Sequence, residues 1–400
     1  MISHNRERRG GVWIASLCWC CLLLVAIPTV LAQRAVQFKS DPVAADLRNS
    51  KSREFRDLQK KKRKILSGSI SLAAERASFD RWYSEYWLPV MTSPANSGRL
   101  AEGRRKLIQD LVMCGDTPDV HKRLTMLVYD FGRKVAQQNE TESDNYHQAV
   151  RFNGVLLLGH LNDKEAVLLG ERRPPVPYRE AFGRLVTYAA DDKQIDAVRL
   201  AALLGVKRHV ELRTKFPQFA GQLATNEQTT VLTNMAKLVS TDQPPPGRTR
   251  DGHDWMRAIA AETLGLFGIP GPNSTAVSSL VKLVGQSDAT LSARCAAAKA
   301  LGSIDFGTSK PNASTIVDPI VGLAADCCEA ERQLLNGLLA DEAAAEADGG
   351  RRRSETNAFF VETEPGSKSG PRFKDERSVP TRRRLLSQLI AIREGLIGSD

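Results

Sequence analysis

Residues able to do chemistry are present in this sequence, but their spacing builds no familiar catalytic site. Ser279 and Lys282 form the S-x-x-K pattern of penicillin-interacting serine enzymes, inside an apolar segment and without a K-T-G triplet. No H-E-x-x-H, G-x-S-x-G or phosphate-binding glycine loop occurs, and no C-x-x-C occurs after residue 32. The sequence therefore predicts no catalytic residue and no cofactor. An enzyme with an unrecognised site stays open as an alternative.

Histidine and cysteine do not occur at metal-ligand spacing. The histidines after the N-terminal segment are scattered along the chain, without a second ligand three or four residues away: His121, His147, His160, His209 and His253. No metal site is predicted from them.

Four of the seven cysteines lie after residue 32, at Cys114, Cys295, Cys327 and Cys328. They are too few for a disulfide framework. Cys295 shares a helix face with apolar neighbours, which favours a small buried core residue. A disulfide from Cys295 to Cys327 or to Cys328 is the alternative, and it requires Cα atoms within about 7 Å.

The first thirty-two residues have the layout of a secretory signal peptide. Basic residues Arg6–Arg9 precede an apolar run, Val12–Ala26, and Val30-Leu31-Ala32 places small residues before a cleavage point at Gln33. We therefore expect export across the cytoplasmic or ER membrane, to the periplasm or the outside. An uncleaved anchor is the alternative, because the apolar stretch is about long enough to span a bilayer.

The chain carries a formal net charge of +10, and part of it is concentrated between residues 33 and 64, a basic polar arm. This arm and a triplet near the C-terminus predict contact with an anionic membrane or envelope polymer. A solvated helix or flexible arm is the alternative. Nucleic acid is not expected, because aromatic residues do not interleave with the basic ones. The predicted contact residues are Lys60, Lys61, Lys62, Arg63, Lys64, Arg382, Arg383 and Arg384.

Residues 65–140 are predicted to form a helical N-terminal extension. Its aromatic residues recur at helical spacing, which favours a seam facing the core over a binding platform. They are Phe79, Trp82, Tyr83, Tyr86 and Trp87.

Residues 141–340 contain four similar segments, which predict a repeated helical unit. Each passes an arginine, continues through small and apolar residues, and ends in a glycine. The pairs are Arg151 with Gly159, Arg199 with Gly205, Arg257 with Gly265, and Arg294 with Gly302. A second apolar helix is expected after each arginine–glycine helix, at 178–190, 228–239, 275–284 and 316–325, and the two helices are taken as one pair.

These segments resemble HEAT repeats, in particular the short HEAT-like type that also occurs in bilin lyases. Three of the arginines precede their glycine by eight residues, whereas Arg199 precedes Gly205 by six. The resemblance covers about residues 145–325 and implies an all-α fold, an α-solenoid of helical hairpins. Such stacks present extended surfaces, so the leading interpretation is an extracytoplasmic scaffold or adaptor that binds another protein through the second helices.

The C-terminal sixty residues change in composition. Residues 341–379 are rich in polar residues and glycine, which predicts a disordered linker. Residues 380–400 return to an amphipathic helix behind a basic start. This helix is expected either to fold back on the end of the repeat array or to bind a membrane or partner groove.

Overall fold

Helices account for nearly all regular structure in the described chain, which makes the fold all-α as predicted. A computed structural model describes residues 37–307, 312–347 and 378–398. The predicted signal peptide and most of the predicted linker lie outside the described residues. None of the described helices combines the length and the apolar character needed to cross a bilayer.

The N-terminal part consists of five helices, of which the second and third are joined by a π-helical turn at Trp82–Trp87. They are α1 (Arg53–Leu66), α2 (Leu72–Arg81), α3 (Leu88–Thr92), α4 (Leu100–Met113) and α5 (Pro118–Ala136).

Helix α1 contains the basic residues that the sequence assigns to a polar arm. Ser52 caps it by accepting a hydrogen bond from the N–H of Phe55. Phe55, Leu58 and Ile65 are buried, so one side of the helix packs on the core and the other carries the charges. The boundary placed at residue 64 falls inside this helix, because Ile65 and Leu66 complete its apolar side.

The aromatic seam lies at the start of the core. Phe79, Trp82 and Tyr83 are buried, and the hydroxyl of Tyr83 donates to Asp110 at 2.8 Å. Asp110 also accepts from Lys62 at 2.7 Å. The helical path continues through Pro89 to Thr92. Proline has no N–H to donate, and the carbonyl of Glu85, four residues earlier, accepts instead from the N–H of Ala44 at 3.0 Å.

The predicted repeat region begins with α6 (Gln148–His160), and a separate C-terminal helix, α15, follows it. Its other helices are α7 (Arg179–Ala190), α8 (Asp196–Lys215), α9 (Pro217–Ala220), α10 (Thr225–Ser240), α11 (Arg250–Phe267), α12 (Thr275–Gly285), α13 (Leu291–Gly302), α14 (Ala313–Ala347) and α15 (Ser378–Ile397).

Two sets of helices alternate along the chain. The four that contain the arginine–glycine pairs, called the motif helices, are α6, α8, α11 and α13, and each packs on the next in that order. The helices directly before them, called the leading helices, are α5, α7, α10 and α12. Among the leading helices, α10 packs on α12, and α12 packs on α14.

The packing pairs each motif helix with the leading helix before it. Helix α8 contacts α7 far more extensively than α6 does, and α11 and α13 likewise pack on α10 and α12. From the sequence, each motif helix is expected to pair with the helix that follows it. The difference has a physical reason: the motif arginine, near the start of its helix, bonds to the end of the helix that precedes it.

A short two-stranded sheet interrupts the helices after α6. Strand β1 (Asn162–Lys164) runs antiparallel to β2 (Val176–Pro177), and the segment between them forms a projecting hairpin. From sequence, the proline-rich part of this segment reads only as a loop.

The C-terminal helix α15 packs on α13 and α14. Ile392 is buried at this contact, and Lys299 pairs with Glu394 at 2.9 Å. Helix α14 is described as far as Ala347, seven residues into the predicted linker. The described part of α15 thus follows α13 in the row of motif helices.

Candidate functional site

All four motif arginines are buried and hydrogen-bond to the carboxyl end of the preceding leading helix. The last carbonyls of a helix have no partner within it, so a buried cation there satisfies an otherwise unpaired group. The bonds run from Arg151 Nη2 to Ala136 O at 3.4 Å, from Arg199 Nε to Ala189 O at 3.3 Å, from Arg257 Nε to Val239 O at 3.0 Å, and from Arg294 Nε to Val284 O at 2.8 Å.

A second contact ties each arginine to a turn or to a further helix. Arg151 donates to Gln194 at 2.8 Å, and Arg257 donates to Gln286 at 2.5 Å, both in the turn of the next repeat. The other two pair with carboxylates: Arg199 with Asp192 at 3.0 Å and Arg294 with Asp326 at 2.8 Å. The arginine of the six-residue segment therefore has the same role as the other three.

Burial lowers the pKa of Arg151 and of Arg199 from the ordinary guanidinium value. That value is so high that both stay charged at neutral pH. These side chains are thus structural cations without a free nitrogen directed at solvent, and the contacts assign them no catalytic task.

The motif glycines lie where two motif helices approach most closely. A Cβ on Gly159 would come within 2.8 Å of Gly205 Cα, and one on Gly265 within 2.9 Å of Ala300 Cα. Gly302 meets α15 in the same way, since its Cβ would lie 2.9 Å from Gly395 Cα. Real Cβ atoms do not approach that closely, so a larger residue would separate the helices.

The leading helices α10 and α12 expose a surface rich in hydroxyl groups. We call it the hydroxyl face; its members are Thr229, Thr230, Thr233, Thr275 and Ser278. The hydroxyls of Thr230 and Ser278 donate to carbonyls one turn earlier in the chain. At the edge of this face, the amine of Lys282 forms an ion pair with Asp242 at 2.8 Å. The face therefore offers hydrogen-bond acceptors and methyl groups with little charge.

The basic residues of α1 divide into two groups. Lys61 and Lys62 turn inward to Glu75 and Asp110, at 3.0 Å and 2.7 Å. The outward group, called the α1 basic stripe, is exposed along one side of the helix and consists of Arg53, Arg56, Lys60, Arg63 and Lys64. Within the described residues, only Arg53 of this stripe has an ion pair, with Asp57 at 3.6 Å.

The C-terminal basic triplet lies at the start of α15. Arg383 and Arg384 are exposed, and Arg384 pairs with Glu331 at 3.6 Å. The side chain of Arg382 is outside the described residues.

Two of the cysteines meet across α13 and α14. The Sγ atoms of Cys295 and Cys327 are 3.9 Å apart and both side chains are buried, whereas Cys328 is exposed. Burial raises the pKa of the Cys295 and Cys327 thiols, which keeps both protonated at neutral pH. Of the two disulfides considered from sequence, this geometry favours the one with Cys327.

The S-x-x-K residues do not form a nucleophile and base. Ser279 is buried and donates to Ala276 O at 2.9 Å, while the amine of Lys282 binds Asp242. The S-D-N triplet that accompanies S-x-x-K in such enzymes occurs at 143–145 before α6, but there the amide of Asn145 donates to Asn139 O and Thr141 O.

The histidines stay apart. His121 meets Glu165 at 3.1 Å, and burial lowers the pKa of His160, His209 and His253. In the described part of the chain, no three His, Cys, Asp or Glu side chains come together to hold a metal ion.

No protein-family model matches the chain, and no curated protein or solved structure matches it either. The likeness to HEAT repeats rests on the four motif segments themselves.

Proposed function

We propose that this chain is an exported HEAT-like α-solenoid that binds another protein through the hydroxyl face. Its role in this proposal is that of a scaffold or adaptor, without catalysis. The four buried motif arginines, called the arginine ladder, support the repeat interpretation, because each makes the same contact with the end of the preceding helix. A stack built in this way presents side chains from successive leading helices on one continuous surface.

The hydroxyl face itself carries the proposal. Five exposed hydroxyl side chains lie on two neighbouring helices, where Lys282 is paired with Asp242 and Lys237, one turn after Thr233, is a second exposed cation. Threonine and serine lose little side-chain entropy when they are buried, and an uncharged surface is cheap to desolvate. A protein surface fits such a face better than a polyanion does.

Single charge insertions test this docking face. Thr233→Arg and Ser278→Arg place a long cation on exposed positions, so folding should be unchanged. Ala101→Arg, at an exposed position on α4, is the matched control. In affinity capture from the producing cells with quantitative mass spectrometry, we expect one protein to be retained by the wild type and the control. Its yield should fall roughly tenfold with either face variant, because an unpaired charge in an interface is costly.

Retention of the same proteins by the wild type and by both face variants would contradict the proposal. A circular dichroism melt of each variant separates loss of binding from loss of folding.

A second candidate function, binding to an anionic envelope surface, is supported by the α1 basic stripe. Four of its five cations have no ion pair within the described residues, and Asp57 is the one acid bonded to it. Surface charges of this kind attract anionic lipid headgroups or wall polymers, and the attraction is screened by salt.

Its test replaces the centre of the stripe, Lys60→Gln with Arg63→Gln and Lys64→Gln. The control replaces three exposed cations elsewhere, Lys122, Arg184 and Lys193, by glutamine. Co-sedimentation with phosphatidylglycerol vesicles should drop for the stripe variant and not for its control, and the difference between the two should vanish at about 0.5 M salt. Equal binding by both variants would exclude the stripe. An enzyme with an unrecognised site is the remaining alternative.

A further inference from the structure

We propose that the tip of the β1–β2 hairpin inserts into the surface of an anionic lipid bilayer. The tip is formed by residues 168–172, and its leucines Leu168 and Leu169 are 76% and 87% exposed. No other large apolar side chain in the described chain is as exposed as either of them. This proposal is independent of protein binding at the hydroxyl face.

Backbone pairing directs the leucines away from the protein. Above the paired strands, Val167 and Arg173 exchange two backbone hydrogen bonds, of 2.9 and 3.0 Å. Such a closed pair holds the two sides of a hairpin together and leaves only the residues between them at the end. The leucines are thus carried on an ordered turn, with no neighbouring helix to cover them.

The base of the hairpin is anchored in the core. The carboxylate of Glu165 accepts from Asn162 at 2.8 Å and meets His121 at 3.1 Å, and Asn162 accepts from Arg208 at 2.7 Å. The N–H of Tyr178 donates to Leu161 O at 3.0 Å. A tip on an anchored base is pre-organised, so little conformational freedom is lost when it inserts.

The charges around the tip favour anionic headgroups. Lys164, Arg172 and Arg173 are exposed, and none of them has an ion pair within the described residues. The exposed acids of the hairpin are Glu171 in the tip and Asp163 beside Lys164, so the cations are in excess. Cations that flank a short apolar segment lie at headgroup level while the segment enters the acyl boundary, and each strengthens binding roughly fivefold.

The size of the tip argues against a protein as its occupant. A stable protein interface requires about 800 Å² from each partner, which two leucine side chains and a five-residue turn do not supply. A bilayer accepts a small apolar wedge, because each inserted leucine gains independently from leaving water.

The test compares two serine double variants in flotation with phosphatidylcholine–phosphatidylglycerol vesicles. Leu168→Ser with Leu169→Ser removes the wedge. Val317→Ser with Val321→Ser is the control, on exposed valines of α14. The tip variant should bind roughly a hundredfold more weakly, about tenfold for each leucine, and the control should bind like the wild type.

Two further measurements separate insertion from charge attraction. Leu169→Trp should give a blue-shifted difference emission on vesicle addition, and part of its binding should survive about 0.5 M salt. Arg172→Gln with Arg173→Gln should weaken binding to anionic vesicles more than to neutral ones.

The proposal is overturned if the wild type does not float with vesicles, or if the tip variant floats as well as the wild type does. It is also overturned if the tip variant instead loses concentration-dependent self-association, since the occupant is then a second copy of the chain. None of these outcomes affects the hydroxyl-face variants, so the two proposals can fail separately.

Discussion

At the scale of single residues, Arg257 shows why arginine recurs at one position of the repeat. Its side chain is fully buried, and its nitrogens bind Val239 O at 3.0 and 2.9 Å, Asp254 at 3.0 Å and Gln286 at 2.5 Å. A planar fork of donors reaches a helix end, a carboxylate and the next turn together. Lysine carries one nitrogen and reaches fewer of these groups.

Replacement of this arginine by methionine should strongly destabilise the fold. Arg257→Met leaves Asp254, which has no exposed surface, without its closest cation, and it leaves the Val239 carbonyl unpaired. We expect a loss of about 3–5 kcal/mol in urea unfolding. Arg184→Met, at an exposed position on α7, is the control and should stay within about 0.5 kcal/mol.

Adding Asp254→Asn to Arg257→Met should recover part of the loss, since it removes the buried unpaired charge. A single variant as stable as the control would show that the arginine ladder does not hold the repeats.

His209 should make the fold sensitive to acid. It is fully buried on α8 and stacks on Phe182 with ring centroids 5.3 Å apart, and neither ring nitrogen has a partner in the described chain. Burial lowers its pKa to about 3, and the charges of Arg208 and Arg213 add to the effect. Below the ordinary histidine pKa, the unfolded chain binds a proton that His209 in the folded chain does not bind. The free energy of unfolding therefore decreases as the pH is lowered.

Above about pH 6.5, His209 is neutral in both states and costs no stability. By about pH 4, its protonation in the unfolded chain should lower the free energy of unfolding by about 3 kcal/mol. His209→Leu removes this part of the pH dependence. Urea unfolding of both proteins at several pH values measures the difference, in which other titrating groups cancel. Parallel stability curves for the two proteins would contradict the assignment.

At the scale of elements, the motif glycines set the distance between helices. Gly159→Ala should destabilise the fold by about 1–3 kcal/mol, because its Cβ would meet Gly205 Cα at 2.8 Å, and backbone cannot move aside cheaply. Gly183→Ala, within α7, meets nothing within 4 Å and should stabilise by about 0.5–1 kcal/mol. Thermal unfolding of the two variants measures whether each stabilises or destabilises the fold. A change in the same direction for both would contradict the close approach of helices at Gly159.

The cysteine pair predicts a staple between α13 and α14. Oxidation by a small disulfide transfers two hydrogens from Cys295 and Cys327 to that reagent and forms one Sγ–Sγ bond. The bond closes a span of 32 residues and should stabilise by about 3–4 kcal/mol. Peptide mapping without reductant should find this pair, with Cys328 free for maleimide labelling. A disulfide that involves Cys328 or Cys114 instead would contradict the geometry.

Helices of the repeat region could be predicted from the sequence because proline-rich loops separate α6 from α7 and α10 from α11. For α1, which Ser52 caps, the sequence leaves a solvated helix and a flexible arm open. The pairing of helices could not be predicted from the sequence, because it depends on which carbonyl an arginine reaches across the turn. The same limit applies to the charges of α1, where Lys62 pairs inward with a residue 48 positions away.

The hydroxyl face was only partly predictable. The sequence predicts a docking face on the second helices at 178–190, 228–239 and 275–284, and the latter two expose the hydroxyl side chains. The hairpin tip was missed altogether. Leu168 and Leu169 continue an apolar run in the sequence, and only the pairing of Val167 with Arg173 places them outside the core.

At the scale of the whole molecule, α15 covers the free side of α13. An open stack ends in an apolar helix face, which a terminal cover must protect from water. Ile392 and Gly395 of α15 make this contact, and Gly302, the last motif glycine, lies directly against it. The last motif helix therefore has a neighbour on either side, although the segment that brings α15 there does not belong to a repeat.

The most direct test of the central proposal is photo-crosslinking in the cells that produce the protein. A photoreactive amino acid is placed at Thr229, Thr233 and Ser278 of the hydroxyl face, and at Ala101 as the control. Adducts are identified by mass spectrometry after cell fractionation. We predict that all three face positions crosslink to one protein in the exported fraction and that the control does not. Absence of a protein adduct at the face, with crosslinks confined to lipid or to the termini, would contradict the account.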